Sequence, residues 1–183
     1  MTLIRITAPS TTPVSVAEAK ANGAITHGDD DALIGAMIAA ATAHVERACG
    51  IALESQTWEL VLDAFPGGCI VVDLGPIVSV SSIKYLDGDG VEQTIPATDY
   101  VVDTASASGR ISPADGWPQA QDVVNAVRVQ FVVGNGAPDD LKTVILMLVQ
   151  HWYLHRAASS VDAVSQIPLA VESLMNLHRR MFV

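Results

Sequence analysis

Two histidines, His151 and His155, have the spacing that most suggests chemistry. They lie four positions apart in a segment with helical periodicity, so both imidazoles can face one metal ion. The residues between them are Trp152, Tyr153 and Leu154, whereas a zinc protease of the His-Glu-x-x-His type needs a glutamate there as general base. We interpret the pair as aromatic-flanked histidines near the end of a buried helix. A metal-binding protein or an enzyme using His151 and His155 is the alternative.

Carboxylates and thiols provide the other groups with potential chemistry. Asp29, Asp30 and Asp31 are consecutive and precede a helical pattern, so we interpret them as cap and dipole partners of that helix. Cys49 and Cys69 fit no metal spacing and are interpreted as small core hydrophobes in a reducing compartment. Neither a Gly-x-Ser-x-Gly elbow nor a Gly-Lys-Ser/Thr phosphate loop occurs. The sequence therefore predicts no catalytic residue, no metal site and no cofactor site.

Composition limits the possible classes of protein. Half of the 183 residues are hydrophobic and 16% are charged, enough for a sizeable core in one domain or a domain with a sub-domain. Ten basic and twenty acidic residues give −10, which argues against binding nucleic acid through its phosphates. Residues 1–140 hold 6 basic and 18 acidic side chains, and residues 141–183 hold 4 and 2. Head-to-tail docking through this asymmetry is one hypothesis, and ordinary solvation is the other.

The segment from Pro138 to Arg156 is the helix that must position the two histidines. Pro138, Asp139 and Asp140 are typical of a helix N-terminus. Residues 144–149 are six apolar residues in a row, which cover every face of a helix and predict burial all round. The segment is shorter than the ~20 residues of a membrane span, so we expect no membrane partner. Either the rest of the chain or neighbouring copies must cover it.

The elements around that helix follow from local patterns. Ser15 and Glu18 form a capping box that predicts a short helix to Asn22, and a longer helix follows from Asp29 to Gly50. Alternating apolar residues predict seven short strands: Gln56–Asp63, Ile70–Leu74, Val78–Tyr85, Val91–Ile95, Tyr100–Val102, Arg110–Ser112 and Ala126–Val133. A polar loop over Ala157–Gln166 and a last helix opened by Pro168 complete the chain. The N-terminal residues have no apolar run, which predicts a cytoplasmic product without a signal peptide.

This order of elements predicts an α+β fold. We expect a small helical bundle of about four helices with an inserted antiparallel β-meander of six to seven short strands. The chain is expected to form a single unit over residues 1–183. Its helical part comprises residues 1–53 and 138–183, and the inserted β sub-domain comprises residues 54–137.

The combination of these features resembles the phage head–tail connector family (adaptor or head completion proteins) of long-tailed phages, prophages and gene transfer agents. The features shared with that family are Glu18-Ala19-Lys20, Asp29-Asp30-Asp31-Ala32-Leu33-Ile34, Val45-Glu46-Arg47, Gln56-Thr57-Trp58, the stretch from Gly75 to Tyr85, Asp87-Gly88-Asp89-Gly90 and Gly134-Asn135-Gly136 before Pro138. The resemblance covers nearly the whole chain. It consists of residues that mark helix ends, strands and turns, and it includes no catalytic motif.

The resemblance implies a structural virion assembly protein that is not an enzyme and uses no cofactor. Such proteins form a ring of about a dozen copies under the portal protein, extend the DNA channel without sequence-specific binding and join a tail-side stopper or neck protein. The implied location is the neck of the virion, with the bacterial cytoplasm before assembly. The family's C-terminal region is expected to dock on the portal. The partner-interface residues expected here are Leu146, Met147, Arg179, Arg180, Met181 and Phe182.

A third class of protein is a small binding module with the β-meander as its recognition surface. A monomer with a stable isolated sheet domain would favour that class. Assembly into rings would favour the adaptor, and stoichiometric zinc or iron would favour the metal-binding alternative.

Overall fold

A computed structural model describes residues 1–106, 108–155 and 169–179. Within these ranges the helices are α1 (Val16–Asn22), α2 (Asp31–Cys49), α3 (Asp139–Leu154) and α4 (Leu169–His178). The strands are β1 (Thr2–Thr7), β2 (Gln56–Leu62), β3 (Ile70–Val72), β4 (Ile77–Leu86), β5 (Glu92–Thr94), β6 (Tyr100–Asp103), β7 (Gly109–Pro113) and β8 (Val127–Val133). The α+β class and the antiparallel sheet predicted from the sequence are confirmed. The loop predicted over Ala157–Gln166 lies outside the described residues, as do Arg156 and Pro168.

The chain divides into two compact units. Residues 1–10 and 54–135 form the sheet unit, and residues 11–53 and 136–183 form the helical unit. The sequence pattern predicts residues 1–53 as one stretch of the helical part. The structure instead places β1 in the sheet unit, because Thr2–Thr7 pairs with β2.

The helical unit is built on local signals that the sequence displays. Ser15 accepts a hydrogen bond from the Glu18 N–H, and the Glu18 carboxylate accepts one from the Ser15 N–H, so the predicted capping box is confirmed. α2 ends at Gly50, whose left-handed φ of 70° suits a residue without a Cβ. The buried side chains that α2, α3 and α4 contribute to the core are Ile34, Ile38, Ala41, Val45, Cys49, Leu141, Val144, Ile145, Leu148, Val149, Val171 and Met175.

By length and composition, α2 could cross a membrane, although the core helix of a soluble protein meets the same criteria. Its five buried residues from Ile34 to Cys49 lie in the core of the helical unit, together with residues of α3 and α4. Packing inside the unit therefore accounts for the buried apolar stripe of this helix.

The apolar run of α3 is buried on most, but not all, of its faces. Val144, Ile145, Leu148 and Val149 are buried among α1, α2 and α4. The side chain of Met147 remains 37% exposed. Among the described residues, the prediction of burial on every face of α3 is therefore confirmed only in part, because α1, α2 and α4 leave one side of this helix exposed.

The sheet unit contains a five-stranded and a three-stranded antiparallel sheet. The five-stranded order is β1-β2-β8-β4-β5, and the three-stranded order is β3-β7-β6. β8 is central, with Phe131 opposite Trp58 of β2 on one side and opposite Val80 of β4 on the other. Its alternate residues Val127, Val129, Phe131 and Val133 are fully buried. The Asp87–Gly90 hairpin turn is confirmed, with the Gly90 N–H donating to the Asp87 carbonyl.

The predicted meander connectivity and the single predicted sheet are wrong. A meander would place consecutive strands side by side, whereas β8 lies between β2 and β4. β8 pairs with β2 along one edge and with β4 along the other, although both are distant from it in sequence. Local alternation identifies a strand but carries no information on its partners, and this accounts for the error.

One glycine at the end of β8 allows a close backbone approach. Gly134 has a φ of +86°, and a Cβ at this position would lie 2.1 Å from the carbonyl oxygen of Glu54. Both the left-handed φ and the missing side chain are required there.

Candidate functional site

The histidine pair does not form a metal centre in the described structure. The rings of His151 and His155 are 4.6 Å apart at their centroids, and Nδ1 of His155 lies 2.9 Å from the carbonyl oxygen of His151. Throughout residues 1–106, 108–155 and 169–179, no three side chains of His, Cys, Asp or Glu are grouped so that they could hold a metal ion. A structural zinc site uses four ligands and a catalytic one uses three, so a pair alone does not meet the requirement.

The aspartates at the helix starts contact residues elsewhere in the helical unit. Asp30 occupies the N-cap position of α2 without a capping hydrogen bond from its side chain, and its carboxylate accepts a 2.6 Å hydrogen bond from the Tyr153 hydroxyl. Asp31 forms a 2.7 Å ion pair with Lys20 of α1. These carboxylates tie α1 and α3 to the start of α2. The interpretation as cap and dipole partners fits Asp30, which is the N-cap residue of α2, and Asp31, which lies in its first turn.

A carboxylate–imidazole contact links the start of α3 to the end of α4. The carboxylate of Asp140, at the start of α3, contacts Nε2 of His178, at the end of α4. The hydrogen bond from His178 is the main reason why the pKa of Asp140 lies below its usual value. Together with the burial of Val171 and Met175, this contact holds α4 on the helical unit.

The two cysteines differ in environment. Cys49 is buried in α2 and donates a hydrogen bond to the carbonyl oxygen of Met175, and burial raises the pKa of its thiol. Cys69 is exposed and lies near the Ser112 hydroxyl. The interpretation as a core hydrophobe fits Cys49 and is wrong for Cys69, which precedes β3 in a Gly-rich turn.

Three of the six expected interface residues, Leu146, Met147 and Arg179, lie within the described part of the chain. Leu146 is half-buried against the core of the helical unit, and Met147, the next residue of α3, is exposed. Arg179 is exposed just after α4. The other three, Arg180, Met181 and Phe182, lie outside the described residues.

The structure also exposes apolar side chains that the sequence analysis did not select. Leu154 of α3 is 66% exposed, and Leu169 and Leu177 of α4 are exposed as well. Leu154 lies seven residues after Met147, so both fall on one side of α3. Leu169 and Leu177 lie eight residues apart on one side of α4. Helical spacing would have paired these residues in the sequence, but only packing shows which side of each helix is uncovered.

A shallow groove in the sheet unit bears on the binding-module alternative. It has a volume of about 300 Å³ and is lined in part by Tyr85, Pro96, Asp99, Trp117 and Pro118. Trp117 donates a 2.7 Å hydrogen bond to a backbone carbonyl and stacks on a neighbouring phenylalanine ring. These contacts anchor the loop that carries Trp117, so its indole has a structural role in the described fold.

Exposed carboxylates of the sheet unit are stabilised in their ionised form. Hydrogen bonds from the Gln93 side chain and the Val91 N–H lower the pKa of Asp87. Hydrogen bonds from Ser106 and Arg110 hold the pKa of Asp103 far below its usual value. The negative charge counted in the sequence therefore persists on the folded surface at neutral pH.

Comparison with known proteins finds similar chains in solved structures of gene transfer agent particles. In a virion structure of a native gene transfer agent (GTA) particle, one chain is 25% identical to this one, with a TM-score of 0.83, covering 100% of this chain and 97% of that chain. The neck of an empty GTA particle computed with C6 symmetry gives the same identity, coverage and TM-score. The neck of a native GTA particle computed with C12 symmetry gives a TM-score of 0.77, again at 25% identity.

No curated protein matches the chain in sequence. The family model described as "Head completion protein" matches residues 13–181, which is nearly the entire chain. The predicted family resemblance is confirmed, and this protein belongs to the head completion protein family.

Proposed function

We propose that this protein is a head-to-tail adaptor that forms a ring in the neck of a phage or gene transfer agent particle and extends its DNA channel. The observation that carries the proposal is the agreement over full length with a chain of the GTA particle, at a TM-score of 0.83. The match covers 100% of this chain and 97% of that chain, so the likeness extends over both the sheet unit and the helical unit. The role is structural, and no catalytic step or cofactor belongs to it.

The proposed partners are other copies of the chain, the portal protein and a tail-side stopper or neck protein. Symmetry of C6 and C12 in the similar neck structures supports a ring of identical copies. Closed rings use head-to-tail contacts, in which one patch on a subunit meets a different patch on the next. Portal and stopper follow from the family resemblance, which places the ring between head and tail.

The proposed contact surface in the helical unit centres on the uncovered side of α3. Met147 and Leu154 expose apolar area there, and Leu146 borders them. Exposed apolar side chains grouped in this way on a soluble protein are typical of an interaction site. Arg179 and residues 180–182 are proposed as the portal-docking end, from the family resemblance and the net positive charge of residues 141–183.

The proposed relation to DNA is passage without specific binding. The chain carries −10, and carboxylates such as Asp87 and Asp103 stay ionised on its surface. A channel wall with the same sign of charge as the phosphates lets a duplex slide without adhering.

We also propose that the β sub-domain, residues 54–137 in the sequence prediction, behaves as a separate insert in the helical part.

Assembly on purified portal rings tests the proposed function. Mass photometry of the chain alone, of portal rings alone and of the mixture measures whether copies add to the portal. We expect a discrete increase in mass in the mixture and a ring in negative-stain images. An excess of unrelated acidic protein of similar size is the control for non-specific adsorption. A chain that remains monomeric at high concentration and also fails to bind portal rings would contradict the proposal.

A further inference from the structure

The outer edge of β1 has no strand partner in the described part of the chain. β1 pairs with β2 through its inner edge, from Thr2 opposite Val61 to Arg5 opposite Trp58, and the strand order places it at the end of the sheet. Natural proteins usually protect such an edge with lysine, proline or a bulge. β1 contains neither lysine nor proline, its one charged residue is Arg5, and its one irregularity lies between Arg5 and Thr7. Residues 2–5 therefore form a regular, open edge.

Apolar side chains accompany this open edge. Ile4 is 44% exposed and Ile6 is 49% exposed, although both belong to a paired strand. An exposed edge strand with apolar side chains is a template on which another strand can pair. β1 thus has both the backbone groups and the side chains of a strand-addition site.

The opposite side of the same sheet has a second open stretch. β4 has ten residues, but β5 pairs only with its last three, Lys84–Leu86. No strand among the described residues pairs with the outer side of residues 78–82 of β4. Val78 in that stretch is 46% exposed. The five-stranded sheet therefore offers two different open edges on opposite sides, as a head-to-tail contact requires.

Strand directions show which edges can meet in a ring. Each neighbouring pair from β1 through β2 and β8 to β4 is antiparallel, so β1 and β4 run in opposite directions within one copy. A twelve-fold ring rotates each copy by only one-twelfth of a turn relative to the last, so strand directions are nearly preserved between neighbours. β1 of one copy would then meet β4 of the next copy as an antiparallel pair, the geometry with the better hydrogen bonds.

We propose that β1 of one copy adds as an antiparallel strand to residues 78–82 of β4 in a second copy, so that the five-stranded sheets continue around the ring. The inference rests on the proposed ring-forming function and assigns a second subunit contact besides the helical one. Backbone hydrogen bonds provide the contact, and Ile4 and Val78 lose their exposure to water in it.

Engineered disulfides test the contact directly. In a Cys69→Ser background, Ile4→Cys is combined with Ser79→Cys in one variant and with Ser81→Cys in another. Antiparallel neighbours have Cα atoms about 4.5–5.5 Å apart, within reach of a disulfide. Rings assembled on portal and oxidised should give a ladder of cross-linked multimers on a non-reducing gel from at least one pair. Ile4→Cys with Val101→Cys, on a strand of the other sheet, is the matched control and should remain monomeric.

The outcomes distinguish this inference from the proposed function. Rings that form with both test pairs but give no ladder would overturn the strand addition and leave the adaptor function intact. Absence of rings with the unsubstituted chain would contradict the adaptor function itself. As a second measurement, Ile4→Lys should keep the thermal unfolding of the monomer and reduce ring yield at least several-fold, whereas Ile4→Val should keep both. Equal ring yield for Ile4→Lys and Ile4→Val would also overturn the inference.

Discussion

Replacing Met147 by lysine should abolish ring assembly while leaving the monomer folded. Met147 lies in the middle of the apolar run of α3, yet 37% of the residue is exposed. A lysine there can extend its ammonium group into water in the free monomer. Surface substitutions of this kind change the free energy of unfolding by about 0.5 kcal/mol or less, which corresponds to roughly 2 °C in Tm for a chain of this size.

The effect on assembly should be much larger than the effect on the fold. Burying a whole methionine side chain contributes ~1.5–3 kcal/mol, so covering the exposed third contributes on the order of 0.5–1 kcal/mol per contact. A lysine ammonium enclosed in the same contact without a partner adds a desolvation penalty of several kcal/mol. A total of ~3–4 kcal/mol weakens each subunit contact by roughly 10²–10³-fold.

Two neighbouring substitutions serve as controls in the same assay. Met147→Leu keeps the apolar volume and should assemble normally. Leu148→Lys places a charge at a fully buried position one residue along and should destabilise the fold by at least ~4 kcal/mol. Circular dichroism measures folding, and mass photometry with portal rings measures assembly. A folded Met147→Lys variant that assembles as well as Met147→Leu would refute the reasoning, because this side of α3 would then face solvent in the ring.

Three further predictions concern the fold itself. The pKa of Asp140 is lowered in the folded state, chiefly by the hydrogen bond from His178, so the stabilisation from this contact is present above the unfolded pKa and is lost as pH falls through the folded pKa. Urea unfolding should therefore show a free energy of unfolding that falls below about pH 4, and it should fall less steeply with pH in Asp140→Asn. An equally steep fall in Asp140→Asn would contradict the contact. Gly134→Ala should cost at least ~1–3 kcal/mol in urea unfolding, because a Cβ would clash with backbone at a φ of +86°, whereas Gly67→Ala, which meets nothing within 4 Å, should be nearly neutral. A thiol reagent should modify Cys69 at once and the other cysteine only on unfolding; two fast-reacting thiols would contradict the described core.

The sequence alone determined the features that depend on neighbouring residues. The capping box of Ser15 and Glu18, the left-handed Gly50 and the Asp87–Gly90 turn were all predictable, because each is a contact within a few residues. Seven of the eight described strands were predicted by alternation. The family resemblance depended on the order of these same local features, which explains why it could be stated without any knowledge of the tertiary fold.

The tertiary structure alone decided the features that depend on distant pairing. β1 was missed because Thr2–Thr7 has little alternation of its own and becomes a strand by pairing with β2, more than fifty residues later. The central place of β8 and the exposure of Cys69 were likewise invisible to local patterns. The apolar run of α3 predicted a helix that needs cover on every side, but not which side the other helices leave open. Packing selected Met147, and with it the candidate assembly surface, because burial depends on the surroundings of a side chain and not on its type.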